Sequence, residues 1–230
     1  MAKTIGILGG LTPESTVLYY QHIIHQYYTR YENYNYPEIV IYSVSLQRFN
    51  AWMNIEDWRS IETALVVALN HLYAAGADFA VIASNTMHML FDRVQEQAPL
   101  PVISIIEATM AAIQRDEVDC VGLLGTRFTM ERAFFRDTLQ RYGVQTLIPP
   151  DHERPFLDAI IFDELSRGII TPASRSTYLN SIDHLAQRGA QGIILGCTEI
   201  PLLITPQDTS ITLYDTAKLH AEHALNTAVN

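Results

Sequence analysis

Lysine is almost missing from this 230-residue chain: Lys3 and Lys218 are the only two, so nearly all its positive charge is arginine. Acids outnumber bases, giving a formal net charge of −10. That balance excludes the clustered cationic surface that a nucleic-acid backbone requires. Cysteine is equally scarce. Cys120 and Cys197 cannot make a disulfide framework. No apolar run approaches the length of a membrane span. The opening Met1-Ala2-Lys3 leads directly into a short apolar segment ending at Gly9-Gly10, without the long hydrophobic region and cleavage site of a signal peptide. Low-complexity linkers are absent too. What is present is 48% apolar and 17% charged residues, the balance of a compact soluble protein with one large domain or two small ones. The cytoplasm is the expected compartment, with no membrane or nucleic-acid partner.

The chain repeats itself. Ile7-Leu8-Gly9-Gly10 is echoed by Leu123-Leu124-Gly125-Thr126, and Ala83-Ser84-Asn85-Thr86 by Gly196-Cys197-Thr198-Glu199. Gly9 and Ser84 are 75 residues apart, Gly125 and Cys197 are 72. Two related halves can present similar motifs across a cleft, which suits a reaction on both sides of one carbon.

Short apolar runs at Thr4–Leu8, Glu38–Val44, Phe79–Ala83, Pro101–Ile105, Cys120–Leu124, Gly192–Leu195 and Ile211–Tyr214 read as strands. Their lack of polar alternation predicts strands covered on both faces. Helical patterns lie between them, including Asp57–Ala75, Thr129–Tyr142 and Pro172–Arg188. The alternation predicts an α/β fold of two pseudo-symmetric, doubly wound domains with parallel sheets and an active site in the cleft between them. The polar stretch Arg115-Asp116-Glu117 marks the expected boundary: residues 1–115 plus about 210–230 form the first half, 116–209 the second. The final strand and helix are expected to return to the first half.

In such folds the ligand sits at the carboxyl ends of strands. Thr12-Pro13-Glu14 has the N-cap, first-position proline and early acid of a helix start. Asn85-Thr86 and Thr198-Glu199 are also expected to open helices, where free N–H groups favour a small carboxylate. A helix N-terminus there would lower the Cys197 thiol toward neutrality, making it a usable base. The competing reading is a small buried hydrophobe. Cys120, inside a strand, reads as core.

Ser84 stands where Cys197 stands in the second half, but a hydroxyl ionises far less readily than a thiol. His88 could share its helical face, though a histidine there more often bonds the backbone. The Thr126-Arg127-Phe128-Thr129 turn offers hydroxyls and N–H groups to a carboxylate. Arg48, after the second strand, could hold a side-chain carboxylate by a bidentate contact. His22/His25 and His220/His223 have helical spacing but no further ligands at metal spacing, so a solvated face is the expectation. The tyrosines from Tyr19 to Tyr36 read as packing or dimer surface.

The Ile5-Gly6-Ile7-Leu8-Gly9-Gly10 opening with Glu14-Ser15-Thr16, Asn85-Thr86-Met87-His88, Leu124-Gly125-Thr126 and Gly196-Cys197-Thr198-Glu199 resemble, nearly end to end, the aspartate/glutamate racemase family. The aspartate racemase branch is the nearer. The resemblance implies a cofactor-independent homodimer of two α/β halves, in which two cysteines exchange the α-proton from opposite faces. It implies that Cys197 acts on the L-enantiomer. Asn85, Thr86, Thr126, Thr129, Thr198 and Glu199, with Thr12 and Arg48, would then bind substrate.

The chain departs from the family at Ser84, where cysteine is usual. Either serine is native and the enzyme slow or one-sided, or serine replaces the cysteine near-isosterically. A second departure is Glu164, where some aspartate racemases carry a lysine toward the distal carboxylate; its absence shifts that role onto Arg48. Two other functions stay open: a malonate-type decarboxylase, which needs one cysteine, and a non-catalytic amino-acid-binding protein.

Overall fold

The computed structural model describes residues 2–230. In chain order the elements are β1 (Ile5–Gly9), α1 (Pro13–Tyr31), β2 (Ile39–Ser43), α2 (Leu46–Asn54), α3 (Trp58–Ala74), β3 (Phe79–Ile82), a 3-10 turn (Thr86–Leu90), α4 (Phe91–Gln97), β4 (Val102–Ile103) and α5 (Ile105–Arg115). They continue with β5 (Cys120–Gly125), α6 (Arg127–Glu131), α7 (Ala133–Arg141), β6 (Gln145–Leu147), α8 (Arg154–Asp163), α9 (Pro172–Gln187), β7 (Gly192–Gly196), α10 (Ile200–Leu203), β8 (Thr212–Asp215) and α11 (Thr216–Val229).

Two four-stranded parallel sheets result, ordered β2-β1-β3-β4 and β6-β5-β7-β8. Corresponding strands hold corresponding places, so the repeat seen in sequence is a repeat of topology. The central strands β1, β3 and β7 are buried at every residue, which explains their unbroken apolar character. The chain forms two compact units, Met1–Ile105 with Ala217–Asn230, and Ile106–Thr216.

This division differs from the expected boundaries at both ends. The last strand does not return to the first half: β8 pairs with β7, from Gly192↔Thr212 to Leu195↔Asp215. Only α11 belongs to the first unit, where Ala217, Ala221, Ala224 and Leu225 pack with Ile5, Ile7, Tyr19 and Ile23. The helix after β4 goes the other way, since all of α5 beyond Ile105 belongs to the second unit. The polar stretch at Arg115-Asp116-Glu117 marks the end of that helix, not a boundary between units.

Local chemistry accounts for the element ends. Thr12 caps α1 by accepting the Ser15 N–H at 3.3 Å, and Asp57 caps α3 by accepting the Ser60 N–H at 3.0 Å. The single helix expected over Thr129–Tyr142 is two, because Arg132 is extended (φ −75, ψ 149) and breaks it. Cys120 is half-buried at the first residue of β5, where core was expected. Of the tyrosines from Tyr19 to Tyr36, Tyr19 and Tyr27 are buried, whereas Tyr20, Tyr28, Tyr31, Tyr34 and Tyr36 are exposed. Among the described residues no helix is long and apolar enough to cross a membrane.

Candidate active site

In the second unit, β5 and β7 are adjacent and in register to their last residues, Gly125↔Gly196. Thr126 and Cys197 therefore leave neighbouring strand ends. A Cβ on Gly196 would stand 2.7 Å from the Leu124 carbonyl oxygen, so this approach requires glycine. Cys197 is 8% exposed, and its Sγ donates to Glu199 Oε2 at 2.8 Å. Thr198 Oγ1 donates to the same oxygen, also at 2.8 Å. All three side chains are buried.

This arrangement reverses the expected electrostatics. Burial, then the Glu199 charge and its hydrogen bond, push the Cys197 thiol well above its ordinary range. The helix that was to lower it, α10, has four residues, and an adjacent carboxylate outweighs so short a dipole. Resting Cys197 is a thiol with a proton acceptor already in contact. In the first unit, Asn85-Thr86 likewise opens a 3-10 turn of five residues, not a full helix.

The neighbouring turn is similarly committed. Thr126 Oγ1 accepts the Thr129 N–H at 3.3 Å and lies 3.2 Å from Thr129 Oγ1. The Arg127 N–H donates to Asp158 Oδ1 at 2.6 Å, so a carboxylate of the chain itself already occupies part of this expected anion site. Burial raises the Asp158 pKa, and that hydrogen bond offsets the rise only in part. Tyr178 is buried and donates to the Leu157 carbonyl at 3.0 Å. Its pKa is raised well above ordinary by burial first, then by Cys197, Asp158 and Glu199. Sequence reasoning missed Asp158 and Tyr178, which belong to no motif and reach this cluster only through the packing of α8 and α9.

In the first unit, β1 and β3 are adjacent, with Leu8↔Ile82 in register. The Gly9-Gly10 turn and Ser84 thus leave neighbouring strand ends, as in the second unit. Gly10 has φ +80 and its N–H donates to Thr16 Oγ1 at 2.8 Å. Ser15 Oγ lies within hydrogen-bond range of the Thr12 carbonyl at 3.0 Å and the Ala83 carbonyl at 3.2 Å, tying the start of α1 to the residue before Ser84. Ser84 is half-buried, while Asn85 and Thr86 are buried.

His88 is not a base for Ser84. Its Nδ1 is 2.7 Å from the Ser84 carbonyl oxygen, and its Nε2 accepts the Ile105 N–H at 3.0 Å. A carbonyl can only accept, so Nδ1 carries the proton and the ring is neutral. Burial lowers its pKa to about 4. His220 was expected on a solvated face but is fully buried. Its Nε2 donates to the Ile103 carbonyl at 2.9 Å and its Nδ1 accepts from Tyr19 at 2.7 Å. The helix it sits on is the returning α11, so its face turns toward the first sheet's core. Among the described residues no group of three or more His, Cys, Asp and Glu could hold a metal ion.

Arg48 is exposed on α2, its guanidinium 5.3 Å above the Trp52 ring. It lines a cavity of about 400 Å³ with Arg59, Ser60 and Thr63 of α3. Glu164 is held by Ser174 Oγ at 2.5 Å and Thr171 Oγ1 at 3.4 Å, at the start of α9.

The Asp/Glu/Hydantoin racemase family matches residues 8–224. An aspartate racemase homologue from Pyrococcus horikoshii OT3 is 38% identical, with a TM-score of 0.87 over 99% of this chain and 100% of that one. A broad specificity amino-acid racemase, RacX, of Bacillus subtilis (strain 168) is 25% identical over 97% of each chain. The Gly74Cys mutant of arylmalonate decarboxylase is 12% identical, with a TM-score of 0.61 over 99% of this chain and 94% of that one, a likeness of fold alone.

Proposed function

This chain belongs to the Asp/Glu/hydantoin racemase family, and from that premise we propose that it racemises an acidic amino acid without a cofactor, aspartate in preference to glutamate. The observation that carries the reading is the hydrogen bond from the buried Cys197 thiol to Glu199.

In this reading the thiol proton passes to the Glu199 carboxylate as substrate binds. The substrate's α-ammonium supplies the positive charge that makes a thiolate tolerable beside Glu199. The Cys197 thiolate then takes the α-proton of L-aspartate, leaving a carbanion whose charge spreads onto the α-carboxylate. Donors from Asn85, Thr86, Thr126, Thr129, Thr198 and Thr12 stabilise that charge as it develops. Arg48 takes the distal carboxylate.

Ser84 fills the second acid/base position. A hydroxyl can return a proton to the carbanion, but it is a poor base for removing one. His88, committed to the backbone on both nitrogens, gives it no help. Exchange therefore runs readily from the L-enantiomer and poorly from the D-enantiomer. The same reading carries a cytoplasmic homodimer.

The lone cysteine also suits a decarboxylase, in which departing CO2 leaves the carbanion and one proton donor suffices. Turnover of L-aspartate, L-glutamate and an arylmalonate by this chain and by Cys197→Ser separates the two. Release of CO2 from the malonate with no aspartate turnover would replace the racemase reading. Tight aspartate binding with no turnover of any substrate would leave a binding protein.

A further inference from the structure

Two buried histidines stand where the chain passes between its units. It leaves the first unit after Ile105 and re-enters at Ala217. On the outgoing side the Ile105 N–H donates to His88 Nε2 at 3.0 Å, and His88 Nδ1 donates to the Ser84 carbonyl at 2.7 Å. On the returning side His220, near the start of α11, donates from Nε2 to the Ile103 carbonyl at 2.9 Å. The two rings meet edge to face with centroids 5.7 Å apart, and Phe91 stacks on His88 at 5.4 Å. All of these contacts lie within the first unit.

Ser84 has neither strand nor helix to hold it. Its N–H donates to the Ile82 carbonyl at 2.8 Å, closing a three-residue turn, and its carbonyl is held by His88. A buried imidazole bonded through both nitrogens has one orientation, so the peptide it holds is fixed with it. The second unit has a counterpart. Thr216, its last residue, donates from Oγ1 to the Leu195 carbonyl at 2.9 Å, two residues before Cys197.

We propose that His88 is the positioning residue of the second acid/base position, tying the Ser84 peptide to the outgoing crossing at Ile105. The inference rests on the reading of Ser84 as that position. His88 moves no proton in this role. It fixes where the residue 84 side chain starts, and His220 holds the returning crossing to the same strand end through Ile103.

α-Proton exchange in D2O, from L- and D-aspartate separately, tests this in Ser84→Cys, alone and combined with His88→Leu or His88→Gln. Leucine keeps neither hydrogen bond, whereas glutamine keeps a donor and an acceptor and supplies a folded comparison. The ratio of D- to L-aspartate exchange is expected to fall about tenfold with His88→Leu, because one reacting group is misplaced, and to recover in part with His88→Gln. Equal losses from both enantiomers would reduce His88 to a stabiliser of the fold and overturn the proposal.

A readout without turnover separates this from a failure of the racemase reading. Amide hydrogen exchange at Ser84 and Ile105 is followed by NMR in the unsubstituted chain and in each single His88 variant. Both amides are expected to exchange about tenfold faster in His88→Leu, relative to those of β7. Release of Ile105 alone, or of neither, would overturn the tie whatever the substrate. No α-proton exchange from either enantiomer in Ser84→Cys would sink the racemase reading and the catalytic meaning of the tie with it, while the amides still report whether the tie exists.

Discussion

The Cys197 thiol and the Glu199 carboxylate are in hydrogen-bond contact at 2.8 Å, and both are buried. The carboxylate raises the thiol pKa and is at once the group able to take its proton. Glu199→Gln removes the charge but keeps the shape, so the thiol pKa is expected to fall. Thiolate absorbance near 240 nm, titrated against pH, reads this directly. α-Proton exchange is expected to drop about a hundredfold with the proton acceptor gone. A thiol pKa that stays put or rises in this variant would mean Glu199 does not govern it.

His88 makes stability depend on acid. Folded, it takes up a second proton only below about 4, against an ordinary 6.5. Between those values the unfolded chain binds more protons. The contribution is therefore full above pH 6.5 and lost as pH falls through this window, roughly 3 kcal/mol in all. Buried His220 acts in the same direction. His88→Asn is expected to flatten the decline by one proton's share in urea unfolding measured at pH 7, 6, 5 and 4. A decline as steep as the parent's would remove His88 from the account.

Gly10 joins two constraints that substitution separates. Its φ is +80, and a Cβ there would fall 2.2 Å from the Val44 carbonyl oxygen. Gly76 has φ +96 with open space around it. Gly76→Ala is expected to cost about 1 kcal/mol from backbone strain alone. Gly10→Ala adds the clash and is expected to cost at least about 3 kcal/mol in urea unfolding. Equal costs would mean the β1–α1 turn moves aside freely.

Much of the fold was legible because apolar runs and caps are local signals. Thr12-Pro13 opens α1, and Asp57 opens α3, where the sequence put them. Strand β6, Gln145–Leu147, went unseen because it is a short edge strand with only half-buried or exposed residues. Strand β8 was found, but its sheet was not, since pairing partners are not a local property. Cys197, Thr198 and Glu199 were legible as a motif. Their electrostatics were not: the pKa of Cys197 turns on burial and on where the Glu199 side chain points. Asp158 and Tyr178 carry no motif, and His220 looked solvated until α11 proved to pack on the first sheet. Arg48 kept its place after β2, and its ring partner Trp52 lies one helical turn along.

Under the proposed mechanism, replacing the weak base at position 84 leaves Cys197 untouched. In Ser84→Cys, exchange from D-aspartate is expected to rise about a hundredfold or more, with exchange from the L-enantiomer little changed.

The most direct test of the proposed chemistry is α-proton exchange in D2O, followed by NMR with L- and D-aspartate supplied separately to the parent chain and to Ser84→Cys. Exchange chiefly from L-aspartate is expected in the parent, and racemisation from both enantiomers in the variant. No exchange from either enantiomer in either protein would contradict it.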